Sequence, residues 1–539
     1  MRRLCLLGLF AVLSVACSDS SNDPPTPDAA VDAAEAAACD LPSVFPSTAD
    51  KTFTPVKPRN GEDEAFALAK GPAKDIAVRA KLVADGFGET KEGAGEPWTT
   101  KAPAGVTPPA SACPKRLVRF AHLTDFQLAD DESPARLAEF DAPVEVARAA
   151  ARAQDAELCV LTDASIRTMN ALHAKAPLDF LLLGGDNIDS AQSNELDWVL
   201  GLLDGQKGLK CDSASANDPV AGPGNDGKDA FDAEGSKVPW YWVNGNHDVL
   251  VQGNVSTHDD KGALTPKAAA ATGSTAPDGT RDYLKAGGAV VSGAVEADPK
   301  REVLSSSAML KRVAEKSGGP GPKAHGLGAE QIASGRATYT FDHGSKLRFF
   351  VWDSTALIGG DEGLVYQSDL DGIFKTTLDK AKADGKWVVL VSHHGAEKIS
   401  TNPGSFGQPR KGAVEGQVFV DFVANYPNVI ASVIGHEHEH RVNFRKSSKD
   451  PIKGFWEIGT SAIADYPQQF RVVEIFDEGA GWARIRATVV DIDWAGMSSA
   501  AKLGRTYAVL DFTSGWGQPG GSGKTSAERN VDLWIKPTP

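Results

Sequence analysis

Five short stretches of the sequence follow apolar runs and contain side chains that can bind a metal ion. In chain order they are His122-Leu123-Thr124-Asp125-Phe126-Gln127, Gly184-Gly185-Asp186-Asn187-Ile188-Asp189, Gly245-Asn246-His247-Asp248, Ser392-His393-His394 and Gly435-His436-Glu437-His438. Composition alone would produce a Gly-His-x-His motif roughly 0.02 times in a chain of this kind. Because chance explains all five stretches poorly, their joint pattern predicts a metal site.

An apolar run of strand length precedes each of the five stretches, and a sixth run lies between the third and the fourth stretch. These runs are mostly β-branched or aromatic and cover residues 117–123, 180–183, 240–243, 347–352, 387–391 and 429–434. Helical patterns at 144–175 and 366–384 lie between some of them. Strands that alternate with helices indicate an α/β fold with parallel pairing, whose chemistry collects beyond the carboxyl ends of the strands.

The order of these motifs resembles that of the calcineurin-like metallophosphoesterase superfamily, from about residue 116 to residue 476. Two further stretches resemble a bacterial subfamily with Asp-x-Gln in place of Asp-x-His: Ser133-Pro134-Ala135-Arg136 and Asp465-Tyr466-Pro467-Gln468-Gln469. The resemblance implies a four-layer αββα sandwich. In that fold two mixed β-sheets are flanked by helices, and the metal site lies at the carboxyl ends of the strands.

The resemblance also implies which side chains hold two metal ions, such as manganese, iron or zinc. The first ion would be held by Asp125, Asp186 and His438, and the second by Asp186, Asn246, His393 and His436. A carboxylate can be shared by two cations about 3.5–4 Å apart, and a hydroxide between them is a nucleophile at neutral pH. His247 would be the catalytic residue, donating to a phosphate oxygen or protonating the leaving group.

Two positions depart from the family pattern. Gln127 stands where the family usually has a histidine, and an amide oxygen binds transition metals more weakly than imidazole does. We include Gln127 among the predicted metal residues, with water, Asp130 or Asp131 as alternatives in its place. Asp189 stands where purple acid phosphatases place a tyrosine ligand, so a ferric–tyrosinate centre is not expected.

These residues predict a metal-dependent phosphoesterase that hydrolyses a phosphoric mono- or diester by attack of a metal-bridging hydroxide. The expected substrate is a small phosphoester or a lipid headgroup. The alternative is a degenerate lipoprotein of the same fold with a binding role, which Gln127 would favour. The net charge of −15 has the wrong sign for holding nucleic acid through its phosphates, so no specific nucleic-acid binding is expected.

The segment from His436 to His440 also fits the His-Glu-x-x-His spelling of zinc proteases. That mechanism needs both histidines on one helix, whereas here the motif follows a β-branched run and Gly435. We therefore do not expect a protease. His394 is expected to lie beside the ligand His393 without binding, because adjacent strand residues point to opposite faces.

Residues 1–17 are typical of a lipoprotein signal peptide. A short positive region precedes an apolar stretch too short to span a membrane, and Cys17 would be acylated. Plain cleavage and secretion is the alternative. Residues 18–40, rich in Ser, Asp, Pro and Ala, indicate a disordered tether. We expect an exported protein of the cell envelope, anchored to the membrane by lipid on Cys17 and facing the periplasm or the cell surface.

The remaining chain divides into three parts. Residues 41–115 are predicted to form an N-terminal wrap or cap, and residues 116–480 the metallophosphoesterase domain, with an insertion at 252–335 near the active site. Residues 481–539 are predicted to form a C-terminal β-rich extension and tail. The mature chain would keep Cys39, Cys113, Cys159 and Cys211, for which three disulfide pairings are possible in an oxidising compartment.

Overall fold

The computed structural model of the protein describes residues 39–59, 64–111, 113–141, 150–214, 220–281, 290–316, 319–404, 407–517 and 525–537. The predicted signal peptide, Cys17 and the tether up to residue 38 lie outside the described residues. Within these ranges, the structure contains no helix with the length and apolar character needed to cross a membrane.

The described residues form strands and helices that are numbered in chain order. The strands are β1 (Lys51–Pro55), β2 (Thr90–Ala94), β3 (Trp98–Lys101), β4 (Lys115–Leu123), β5 (Phe180–Leu183), β6 (Trp240–Trp242), β7 (Leu250–Val251), β8 (Val255–Ser256), β9 (Thr275–Arg281), β10 (Val290–Ala294), β11 (Tyr339–His343), β12 (Leu347–Val351), β13 (Trp387–Val391), β14 (Val429–Ile434), β15 (Arg441–Lys446), β16 (Gly454–Gly459), β17 (Gln469–Gly479), β18 (Trp482–Asp491) and β19 (Asn530–Ile535). The helices are α1 (Glu64–Lys70), α2 (Ile76–Ala84), α3 (Leu158–Lys175), α4 (Ser193–Asp204), α5 (Asn246–Val249), α6 (Pro266–Ala270), α7 (Ser306–Glu315), α8 (Ala329–Ser334), α9 (Gln367–Asp369), α10 (Lys375–Ala383), α11 (Gly416–Val423) and α12 (Ser499–Ser514). A π-helical turn, Leu370–Phe374, joins α9 to α10.

Two large mixed sheets position the motif residues. One has seven strands in the order β3-β19-β18-β17-β4-β5-β6, and the other has six in the order β11-β12-β13-β14-β16-β15. Strands β4, β5 and β6 are parallel neighbours in the first sheet. Strands β12, β13 and β14 are parallel neighbours in the second. Since parallel neighbours end at the same edge of a sheet, the five motif stretches follow strand ends at two such edges.

Aromatic side chains pack between the two sheets. Phe120 of β4 and Phe180 of β5 both meet Phe349 of β12 edge-on, with ring centroids 5.6 and 5.1 Å apart. The next residue, Phe350, packs instead on Phe374 of the π-helical turn, at 5.0 Å. Because successive strand residues point to opposite faces, β12 is covered by a sheet on one side and a helix on the other. The predicted α/β fold, with two mixed sheets flanked by helices, is confirmed.

Three predicted strands, 180–183, 387–391 and 429–434, have the observed bounds of β5, β13 and β14. The helix predicted at 144–175 is shorter, because α3 begins at Leu158 and residues 142–149 lie outside the described part of the chain. Before α3, the Arg152 backbone N–H donates to the Asp155 carboxylate at 2.8 Å. Such local side-chain bonds compete with helix formation.

The seven-stranded sheet continues past residue 480, where we predicted the domain to end. Strand β18 pairs with β17 from Trp482 to Asp491, and β19 pairs with β18. Strand β3, from the predicted N-terminal wrap, pairs in parallel with β19. Both outer segments therefore contribute strands to the sheet that carries β4, β5 and β6. Strand periodicity in the sequence does not reveal which partner a strand will find.

The structure settles one of the cysteine pairings left open by the sequence. Cys159, in α3, forms a disulfide with Cys211, which lies 52 residues further along the chain, after α4. Cys39 and Cys113 are disulfide-bonded as well.

We expect a Cys159→Ala/Cys211→Ala double variant to lose about 2–4 kcal/mol of unfolding free energy, because the cross-link closes a long loop in the unfolded chain. Urea unfolding of the variant and the wild type, followed by far-UV circular dichroism, measures this difference. An unfolding free energy equal to that of the wild type would contradict it.

Candidate metal centre

The ends of the parallel strands bring the predicted metal residues together. His393 Nε2 lies 3.0 Å from Asp186 Oδ2 and 3.8 Å from Asp125 Oδ1. His438 Nε2 lies 3.2 Å from the same oxygen of Asp125. Ligand atoms of Asp125, Asp186 and His393 all lie within 4.8 Å of one another, and so do those of His393, His394 and His436. The two groups share His393, so they belong to one centre.

The chain turns sharply where it leaves each strand. Asp125, Asp186, His436 and His438 have positive φ values of 54°, 53°, 69° and 54°. Residues other than glycine rarely adopt this conformation, and such strained positions cluster at functional sites. Backbone hydrogen bonds hold the turns, because Asp125 N–H donates to the Gly185 carbonyl at 3.0 Å and Ala464 N–H donates to the Asp125 carbonyl at 3.0 Å.

At two positions of the motifs there is room for glycine but not for a residue with a Cβ atom. A Cβ atom on Gly245 would lie 2.1 Å from Asp186 Oδ1, and one on Gly435 would lie 2.2 Å from Thr124 Oγ1. Neither neighbour can move without disturbing an aspartate of the centre, since Thr124 Oγ1 donates to Asp125 Oδ2 at 2.7 Å. The glycines that precede Asn246 and His436 therefore let the loops approach closely.

Several ligand atoms are left available by the bonds that orient their side chains. Asn246 Nδ2 donates to the Gly253 carbonyl at 3.0 Å, and the buried Asn246 Oδ1 has no hydrogen-bond partner among the described residues. His393 Nδ1 lies 2.9 Å from the Gly184 carbonyl, so Nε2 is the ring nitrogen that faces the carboxylates of the centre. His438 Nδ1 lies 2.6 Å from Asp465 Oδ2. A second bond that fixes the ring is typical of histidines that bind metals, so these residues fit a metal ion.

The charges of the centre favour a cation. Burial opposes the charged form of His393, yet Asp186 and Asp125 outweigh it and raise its pKa to about 9. Burial likewise opposes charge on His438, but Asp125 and Asp465 raise its pKa to about 10. Burial works to raise the pKa of Asp186, but His393 and His247 lower it well below the usual range. The carboxylates therefore draw positive charge into this buried pocket.

His247 lies at the rim of the centre. Its Nδ1 lies 3.0 Å from the Asp189 carbonyl and 3.1 Å from Asp189 Oδ1, while its Nε2 lies 3.9 Å from Asp186 Oδ2. Its side chain is 15% exposed, in contrast to the almost fully buried Asp186. Burial disfavours its charged form, but Asp186 and Asp189 together raise the pKa of His247. Asp189 thus orients the imidazole, a contact that sequence reasoning did not find; its one signal was a carboxylate three residues after Asp186.

Gln127 lies between Asp186 and a buried arginine. Its Nε2 donates to Asp186 Oδ2 at 3.3 Å, and its Oε1 accepts a hydrogen bond from Arg152 Nη2. Arg152 Nε also donates to Asp465 Oδ1 at 2.8 Å. Sequence reasoning found no role for Arg152 and reached Asp465 only as part of a motif, since no local pattern reveals either contact.

His394 and His440 have hydrogen-bond partners for both ring nitrogens, although His394 also lies close to His393 and His436 in the centre. His394 Nδ1 lies 2.8 Å from Ser354 Oγ and its Nε2 lies 3.0 Å from the Asp361 carbonyl. Both ring nitrogens of His440 lie within 3.4 Å of Ser461 atoms. The residues from His436 to His440 form an irregular connection between β14 and β15, so the helix that a His-Glu-x-x-His protease needs is missing there.

Comparison with known proteins gives one family and several solved structures. Residues 118–440 match the calcineurin-like phosphoesterase family. Comparison with curated proteins finds no match. A dimetal phosphatase from Danio rerio is similar at 11% identity and a TM-score of 0.38, over 70% of this chain and 100% of that chain.

Two further solved structures are similar at lower TM-scores. A purple acid phosphatase from yellow lupin seeds has 10% identity and a TM-score of 0.28, over 74% of this chain and 54% of that chain. GAP50, the anchor in the inner membrane complex of Plasmodium, has 12% identity and a TM-score of 0.28, over 74% of this chain and 95% of that chain. The family match spans more than half of the 539 residues. The chain therefore belongs to the calcineurin-like phosphoesterases, a family of metal-dependent phosphoesterases.

Proposed function

We propose that the protein is a metal-dependent hydrolase of phosphoric mono- or diesters with a centre for two metal ions. The observation that carries this proposal is the convergence of ligand atoms of Asp125, Asp186 and His393 within 4.8 Å of one another, together with a buried Asn246 Oδ1 that has no hydrogen-bond partner among the described residues. When bound, the ions would supply Lewis-acid chemistry and activate a water molecule.

The ligands divide between two positions around Asp186. Asp125 and His438, which lie 3.2 Å apart, would hold the first ion on one side. Asn246, His393 and His436 would hold the second on the other side. Asp186 would be shared by the two ions, and its Oδ2 lies 3.0 Å from His393 Nε2 and 3.3 Å from Gln127 Nε2. One carboxylate shared in this way keeps two cations close together.

His247 is proposed as the catalytic residue. Its Nδ1 lies 3.1 Å from Asp189 Oδ1, and its Nε2 lies 3.9 Å from Asp186 Oδ2 on a side chain that is 15% exposed, where an ester would enter. From there it can donate a hydrogen bond to a phosphoryl oxygen or a proton to the leaving alcohol. Asp189 is held in turn by Gln252 Nε2 at 3.2 Å and by Arg136 Nη1 at 3.5 Å, so the carboxylate that orients the imidazole cannot swing away.

We also propose that the protein is exported and anchored in the cell envelope by lipid on Cys17. The signal-like sequence of residues 1–17 and the disulfide between Cys159 and Cys211 support an oxidising compartment. A small phosphoester or a lipid headgroup in that compartment would be the substrate, and the net charge of −15 disfavours nucleic acid.

Metal-free protein reloaded with manganese, zinc or iron is expected to cleave p-nitrophenyl phosphate or bis(p-nitrophenyl) phosphate, and chelation is expected to abolish the cleavage. Removing the ions should also lower the melting temperature, because a ligand that binds only the folded state stabilises it. Absorbance assays and thermal melts measure both effects. A protein that binds two ions but cleaves no ester in a broad panel would instead favour a binding role on this fold.

A further inference from the structure

The two proposed metal positions differ in how their ligands are held. At the second position, Asn246 Oδ1 is buried without a hydrogen-bond partner among the described residues. At the first position, the amide oxygen of Gln127 already accepts a hydrogen bond from Arg152 Nη2. An amide binds a metal ion only through its oxygen, so this bond decides whether Gln127 can be a ligand.

The orientation of the Gln127 amide is fixed by the chemistry of its two neighbours. A guanidinium group has only donors, so the atom facing Arg152 must be the oxygen. The ionised carboxylate of Asp186 has only acceptors, so the atom facing it, 3.3 Å away, must be the NH2 nitrogen. Rotating the amide by half a turn would place its NH2 group against the donors of Arg152 and its oxygen against the acceptors of Asp186, and both hydrogen bonds would be lost.

Arg152 is held in place on its other side. Its Nε donates to Asp465 Oδ1 at 2.8 Å, its backbone N–H donates to Asp155 Oδ2 at 2.8 Å, and its side chain is 1% exposed. The other oxygen of Asp465 lies 2.6 Å from His438 Nδ1. Arg152 therefore contacts Gln127 directly and, through Asp465, His438, which is a proposed ligand of the first ion.

We propose that Arg152 is a positioning residue that keeps Gln127 from binding metal, so that the first ion is held by Asp125, Asp186 and His438 alone. This inference rests on the proposed two-metal function. A guanidinium in contact with the Gln127 oxygen repels a metal cation from that oxygen, because both carry positive charge. The first ion consequently has fewer protein ligands than the second and dissociates more readily.

Two near-isosteric variants of Gln127 test the inference through metal binding alone. Metal-free proteins are dialysed against buffered manganese at stepped free concentrations, and the ions bound per chain are counted by mass spectrometry. The wild type should bind one ion tightly and one about tenfold or more weakly. Gln127→Met should change both dissociation constants less than threefold, because methionine removes only an amide that holds no ion.

Gln127→Glu places a carboxylate oxygen where the NH2 group now faces Asp186, while its other oxygen still pairs with Arg152. This variant should bind the weaker ion at least about tenfold more tightly, and its dissociation constant for the tighter ion should stay unchanged. If the dissociation constant of the weaker ion rises tenfold or more in Gln127→Met, Gln127 is a ligand and the inference is overturned, while the proposed function stands. A wild type that binds no ion would overturn both.

Discussion

An Asp186→Asn variant is expected to lose phosphoesterase activity by at least roughly 10³-fold and to bind metal far more weakly. Asp186 is the carboxylate that we propose the two ions share, and its Oδ2 lies 3.0 Å from His393 Nε2. Asparagine keeps an oxygen for the His247 backbone N–H, which donates to Asp186 Oδ1 at 2.9 Å, so the turn after β5 is preserved. What asparagine lacks is the negative charge shared by two cations.

Three measurements separate this loss from misfolding. They are kcat/KM on a chromogenic phosphoester, the number of ions bound per chain, and the melting temperature of the metal-free protein. Asp85→Asn is a matched control, because it makes the same chemical change at an exposed position directly after α2. Activity within tenfold of the wild type in Asp186→Asn would show that this carboxylate is not shared between ions.

The strands that carry the site could be predicted from the sequence because each is a buried apolar run with a clear end. Phe180–Leu183 is fully buried and is followed at once by Gly184 and Gly185. The pairing of the strands was harder to predict from the sequence. Strand β19 follows α12 and lies far along the chain from β3, yet these two strands pair at the edge of the seven-stranded sheet. A run of strand residues predicts a strand, but its partner depends on contacts distant in the sequence.

The residues of the centre itself were predictable for a related reason. Asp125, Asp186 and His436 each follow a parallel strand, and parallel strands deliver the residues after them to a common edge. The residues that hold these side chains were not predictable. Asp465 reaches His438 and Arg152 from a separate loop, and the motif that contains it does not reveal either contact. Motifs thus identify the proposed metal residues, whereas the side chains that support them are visible only after folding.

A His247→Ala variant is expected to slow turnover by roughly 10²–10⁴-fold while its metal content stays unchanged. The imidazole is not among the proposed ligands: its Nδ1 lies 3.1 Å from Asp189 Oδ1, and neither group of closely spaced ligand atoms among the described residues includes its ring. The backbone N–H of residue 247, which supports Asp186, remains in the variant. Chemistry should therefore fail while metal binding persists.

The decisive comparison is between kcat and ion content in the same preparation. His343→Ala is the matched control, since His343 ends β11 opposite Leu347, the first residue of β12, whereas the site follows the last residues of the parallel strands. The loss in His247→Ala should also be smaller for an ester with a nitrophenol leaving group than for one with an alkyl alcohol, because nitrophenol needs little protonation to depart. Equal losses on both esters would assign His247 to binding a phosphoryl oxygen, and loss of ions would assign it to the metal centre.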